Sequence, residues 1–257
     1  MNVKDKRVVR TPEAGGIWDS IAPWMLLLGA ILTTVGFVLA FTTAHLVPGA
    51  GVDGFELIGE EVVANKLLLS QKIFYFHVPV AITSMIAILF MGYYGIRYLM
   101  TRQQRFDTCS RIAAEIGLVF VIATMVTGEM WEAYEWQVWW TWEPRLTTYL
   151  ILMLLVIAYF VLRNSIEDPE RRGTYAAVLA IITCVDVPIC FLITRIIPSG
   201  LHPVVLRSDS GLSPDMLLPF LISMFGMFMV GYGLYRYRFR QVLLAERLEA
   251  LKEKLED

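Results

Sequence analysis

Six stretches of this sequence run for about 20 residues each with almost no charge, and no other feature restricts its folding as much. They cover Ile21 to Phe41, Ile73 to Ile96, Ile112 to Met130, Leu146 to Leu162, Thr174 to Thr194 and Met216 to Tyr235. A hydrocarbon slab ~30 Å thick asks for helices of this length, because only a helix satisfies all its backbone polar groups internally. The first, second, fourth and sixth runs contain no Asp, Glu, Lys or Arg. The third holds Glu115 and Glu129 near its ends, and the fifth encloses Asp186. The predicted fold is an all-α membrane protein of six transmembrane helices. One domain covers residues 1–257, with no internal repeat or low-complexity linker to divide it. Composition agrees: 18% of residues are charged, against about 25% in an average soluble domain, which excludes a nucleic-acid binder and a disordered chain.

Six spans put both termini on one side, and the basic residues say which side. Seventeen of the 22 Lys and Arg fall in the two tails and the second and fourth connections. Lys66, Lys72, Arg145, Arg195 and Arg207 fall opposite. The positive-inside rule makes the termini of this multi-pass protein cytoplasmic. Before the first run, Lys4, Lys6, Arg7 and Arg10 mix with Asp5, Glu13 and Asp19, without a small-x-small cleavage pattern, so no cleaved signal peptide is expected. Residues 241–257 carry Leu244, Leu248, Leu251 and Leu255 at heptad spacing. This amphipathic tail reads either as a solvated extension of the sixth span or as a docking helix for a partner subunit.

Candidate chemistry gathers on the outer side. His45, His77 and His202 all fall there, although a lone His at a membrane interface also serves simply by hydrogen-bonding at headgroup level. The third outer connection, about residues 129–147, holds Trp131, Tyr134, Trp136, Trp139, Trp140 and Trp142. Five of the chain's seven Trp therefore sit in one connection, where an aromatic belt would spread one or two over many helix ends. At 100° per residue the rings form no single stripe, so a packed amphipathic helix fits less well than a surface of broad ring faces. Such a surface suits a large flat ligand, and haem is the obvious one. His77 and His202 would supply axial imidazoles, and Arg145, Arg195 or Arg207 would meet propionates unless they only anchor their spans. Glu143-Pro144 predicts the start of the fourth helix, with Glu143 either capping it or touching ligand. Asp186, before Pro188, is an intramembrane acid and a functional hypothesis by default; protonation or a bond to carbonyls freed by the proline would also accommodate it. Cys109, Cys184 and Cys190 form no disulfide framework, and no C-x-x-C-H signature attaches haem covalently.

The segment W136-Q-V-W-W-T-W-E-P-R-L-T147 resembles the WWD signature of haem-handling membrane proteins, usually WGTWWxWDxRLT. With six spans, the FHVP motif opening the second and a His in the last outer connection, the chain looks specifically like the cytochrome c maturation protein C (CcmC) family. The resemblance implies that His77 and His202 are the axial pair for a transiently held, non-covalent haem b. It implies that Trp136, Trp139, Trp140, Trp142 and Arg145 form the haem surface. It further implies delivery to a CcmE-like haem chaperone beside a CcmAB-like ABC transporter and a CcmD-like small subunit, with no enzymatic step. Gln137 stands where the signature has Gly, Glu143 where it has Asp, and Asp186 where Asn is expected. Competing readings are a synthetase-type relative, which usually has more spans and histidines, a b-type electron-transfer subunit, and a permease.

Overall fold

The computed structural model of the protein describes residues 17–44, 55–58, 61–64, 70–197 and 212–256. His45, Lys66, His202, Arg207 and the basic residues of the N-terminal tail lie outside them. Six helices carry the fold: α1 (Ile17–Thr42), α2 (Phe74–Thr101), α3 (Gln104–Glu135), α4 (Pro144–Asn164), α5 (Pro169–Ile196) and α6 (Pro214–Glu256). Each is long and apolar enough to cross a membrane. All run past the apolar stretches seen in the sequence at one end or both. Hydropathy marks the slab, whereas the hydrogen-bond ladder continues into the interface until a cap or a proline stops it.

The stops are local and chemical. Arg102, at φ 55°, ends α2 in the left-handed region with its N–H on Tyr98 O at 2.7 Å, and α3 begins two residues later. Pro144 and Pro169 open α4 and α5 behind the acidic caps Glu143 and Asp168. The buried Lys72 donates to Ala40 O at 2.8 Å and to Ala44 O, so this residue, counted above as an outer basic charge, caps the last carbonyls of α1. Through the tail α6 continues unbroken, for 43 residues in all, about 65 Å at about 1.5 Å per residue. Leu244, Leu248, Leu251 and Leu255 form an exposed stripe along it. The first connection adds a two-stranded antiparallel hairpin, β1 (Phe55–Ile58) on β2 (Glu61–Ala64), which the helical pattern did not foretell.

Helix α2 is central, packing on α3, α5 and α6, while α4 lies on α5 and α1 lies on α6. Small residues set the close pairs. A Cβ at Gly29 would stand 2.8 Å from Gly226 O, so α1 and α6 approach at backbone distance. Ile88, Met91, Ala114, Val121, Leu152, Val156 and Ala180 fill the core of α2 to α5. Outside, Leu27, Ile31, Val35 and Val38 line one exposed face of α1, the apolar-outward arrangement a lipid solvent requires.

One end of the bundle is held by ion pairs between helices. Asp107 of α3 receives Arg163 of α4 in a bidentate fork at 2.6 and 2.8 Å, with both side chains buried. Asp19 of α1 pairs with Arg236 of α6, and Glu115 pairs with Arg238 at 2.6 Å. Glu115, which weakened the third apolar run, is thus a charge with a dedicated partner.

Candidate functional site

The opposite end gathers the start of α2, the end of α3, the start of α4 and the end of α5. Two hydrogen bonds tie these ends in pairs. His77, in the first turn of α2, places Nδ1 2.8 Å from Thr127 Oγ1 of α3. Arg145, in the first turn of α4, donates from Nη2 to Thr194 Oγ1 of α5 at 2.9 Å. The Arg145 guanidinium also lies within electrostatic reach of the His77 ring. Beside that ring Gly128 leaves room, since a Cβ there would stand 3.1 Å from His77 Cε1.

Between α3 and α4 the chain runs through Trp136 to Glu143 without helical structure, which is why the rings obey no helical period. Trp139 and Trp142 are 72% and 76% exposed and present open faces. Trp140 meets Trp142 edge-on at 5.6 Å between centroids, and Trp136 meets Trp131 likewise at 5.1 Å. The rings expected to form one surface therefore divide into two edge-to-face pairs, with the two exposed rings at the rim.

Buried polar atoms lie behind the rings. Among the described residues, Trp140 Nε1, Thr141 Oγ1, Arg145 Nε and both oxygens of Glu132 find no hydrogen-bond partner of good geometry. Glu132, only 1% exposed on the last turn of α3, lies close to Thr141 and within electrostatic reach of Glu129 and Glu143. Sequence reasoning passed over Glu132, Thr127 and Thr194. A carboxylate inside a Trp run was the available signal for the first, and the two hydroxyls gave none. Glu143 caps: its Oε2 accepts from the N–H groups of Arg145 and Leu146 at 3.0 and 3.2 Å.

Two other candidates lie on α5, and Arg195 is within electrostatic reach of Arg145. The Arg195 guanidinium lies over the Phe191 ring at 5.5 Å. Asp186 takes its contact from the Cys190 thiol one turn on, at 3.5 Å, and not from the backbone near Pro188. Cys184 faces Gly92 of α2, so the two thiols of α5 serve separate contacts.

The sequence profile of the family described as heme exporter protein C, CcmC, matches residues 65–254. The chain belongs to the CcmC family. Proteins named heme exporter protein C from Rhodobacter capsulatus and Escherichia coli are 29% and 28% identical to it over 243 and 222 residues. Those alignments cover 93% and 86% of this chain and 98% and 83% of the relatives. The protein of that name from Haemophilus influenzae is 30% identical over 235 residues, covering 90% of this chain and 87% of the relative. The similarity supports a haem-handling role in cytochrome c biogenesis, in transport rather than catalysis, for a multi-pass membrane protein.

Within this CcmC-family chain the backbone accounts for one departure from the signature. Gln137, in the place of the signature's Gly, has φ 58°, a left-handed conformation that costs a side chain roughly 1–2 kcal/mol and glycine almost nothing. Its Nε2 offsets part of this by donating to Tyr134 O at 2.6 Å. Gln137→Gly should therefore leave thermal stability in detergent within about 1 kcal/mol of the parent protein, on the favourable side, while Gln137→Val should lose about 1–2 kcal/mol. Equal melting of the two variants would mean that this turn does not need the left-handed conformation.

Proposed function

We propose that this chain holds haem non-covalently at the Trp-bearing end of the bundle and hands it to a membrane-anchored haem chaperone of the CcmE type. One observation carries the reading. The exposed faces of Trp139 and Trp142 lie at the same helix ends where His77 and Arg145 converge. A flat macrocycle gains affinity from such faces by offset stacking and area burial, with Trp140 against the rim ring of Trp142 and Trp136 assigned to the same surface on family resemblance. His77 supplies one axial nitrogen. His202, outside the described residues, is assigned the other on family resemblance. The buried, unpartnered Nε of Arg145 is the donor a propionate would satisfy, and Trp140 Nε1 is a second.

The positive-inside bias, 17 of 22 basic residues, supports cytoplasmic termini with this end on the outer side, which family resemblance assigns to the periplasmic face of a bacterial inner membrane. A CcmAB-like ABC transporter and a CcmD-like small subunit complete the assembly, and the chain itself makes or breaks no bond. Haem b, held without a covalent bond, is the form assigned on family resemblance.

Optical spectra test this directly. The purified protein should carry a haem band that decreases as the band of an added chaperone grows; a haem-free preparation that also fails to take up added haem overturns the reading. The same spectra weigh Arg145. Its Nη2 is held by Thr194, which fixes the plane of the guanidinium, so Arg145→Lys should lose haem several-fold while Arg145→Gln loses more. Wild-type haem content in the Lys variant would make charge the sole requirement and remove the bidentate contact.

A further inference from the structure

Thr127 has one hydroxyl proton, and the structure commits it to the helix. Oγ1 lies 2.8 Å from Ala123 O and 3.2 Å from Thr124 O, the way a helical threonine satisfies itself where water is scarce. The same oxygen is 2.8 Å from His77 Nδ1. With its proton turned toward the carbonyls, the hydroxyl accepts at that contact, so Nδ1 must carry the hydrogen. A neutral imidazole has only one N–H, and its Nε2 is left with the lone pair. Among the described residues Nε2 has no hydrogen-bond partner. Gly128 contributes from the next position, because a Cβ 3.1 Å from Cε1 would press on the ring and turn it from the Thr127 oxygen.

We propose that Thr127 is the positioning residue of this site, holding His77 in the Nδ1–H tautomer so that Nε2 faces the iron. The inference rests on the reading of His77 as an axial ligand. It adds which nitrogen binds and why. Donation from Nδ1–H to an oxygen also makes Nε2 more basic, so Thr127 tunes the iron as well as aiming the ring.

The test uses the full-length protein carrying haem. Thr127→Val removes the acceptor while keeping a branched side chain of similar size, and Thr127→Ser keeps the acceptor. The Val variant should bind haem about 10-fold more weakly and show an upward shift in the midpoint potential of the haem it retains. The Ser variant should restore both toward the parent values. The potential is read only from loaded protein, so a lower yield of folded Val variant does not obscure it. His77→Gly runs alongside. If it loses haem while Thr127→Val keeps the parent affinity and potential, the role of Thr127 is overturned and the axial reading stands. Unchanged haem in His77→Gly overturns both. A Ser variant as defective as the Val variant would make Thr127 a packing residue and end the proposal.

Discussion

Purified His77→Gly protein is expected to come without its haem, and added imidazole is expected to return it. The side chain stands in the first turn of α2, its Nδ1 tied to α3 through Thr127. On the proposed reading, removing it deletes one axial nitrogen and leaves a space shaped like the ring removed. Gly128 has no Cβ to fill that space, so free imidazole has room and an acceptor at its far side. Loss of the ligand itself should exceed the roughly 10–100-fold that loss of a partner behind a ligand costs, and millimolar imidazole should recover the parent absorption bands. His77→Gly protein with unchanged haem content and spectrum would show that the iron is held elsewhere.

The second large effect lies at the opposite end. Asp107→Ala should destabilise the bundle by about 3–5 kcal/mol, because it leaves the Arg163 guanidinium buried without its counter-charge. Both groups are nearly solvent-free, at 8% and 3% exposure, so bulk water is poorly placed to replace the fork. Exchanging both for apolar residues of similar volume, as in Asp107→Leu with Arg163→Met, should recover most of the loss, since the pair offsets its own desolvation and little more. Denaturation followed by circular dichroism in detergent distinguishes these cases. A single variant within about 0.5 kcal/mol of the parent would mean that the pair is open to solvent and dispensable. Haem binding at the far end should survive wherever the fold does.

The WWD segment separates what could be read from what could not. The rings, the exposed connection and the helix start at Pro144 follow from residue types and their order. The division of the rings into Trp131 with Trp136 and Trp140 with Trp142 does not. It depends on a backbone that turns at Gln137, where Gln itself is no signal for a left-handed residue. Glu143 was open between capping and ligation. The cap is what forms, because two unpaired N–H groups of α4 lie within reach of its carboxylate.

By itself the sequence determined the six helices, the start of α4 at Pro144 and the crowded Trp connection to which the site is assigned. All three depend on quantities local to the chain: the length of an apolar run, a proline after an acid, the crowding of Trp into one connection. The tertiary structure alone decided the partners. His77 and Thr127 are 50 residues apart, Asp107 and Arg163 are 56 apart, and Asp19 and Arg236 are 217 apart. Which face of one helix meets which face of another is set by how closely small residues such as Gly29 and Gly226 let the backbones approach. That rotation leaves no trace in hydropathy, because in lipid the packed face and the outward face are equally apolar.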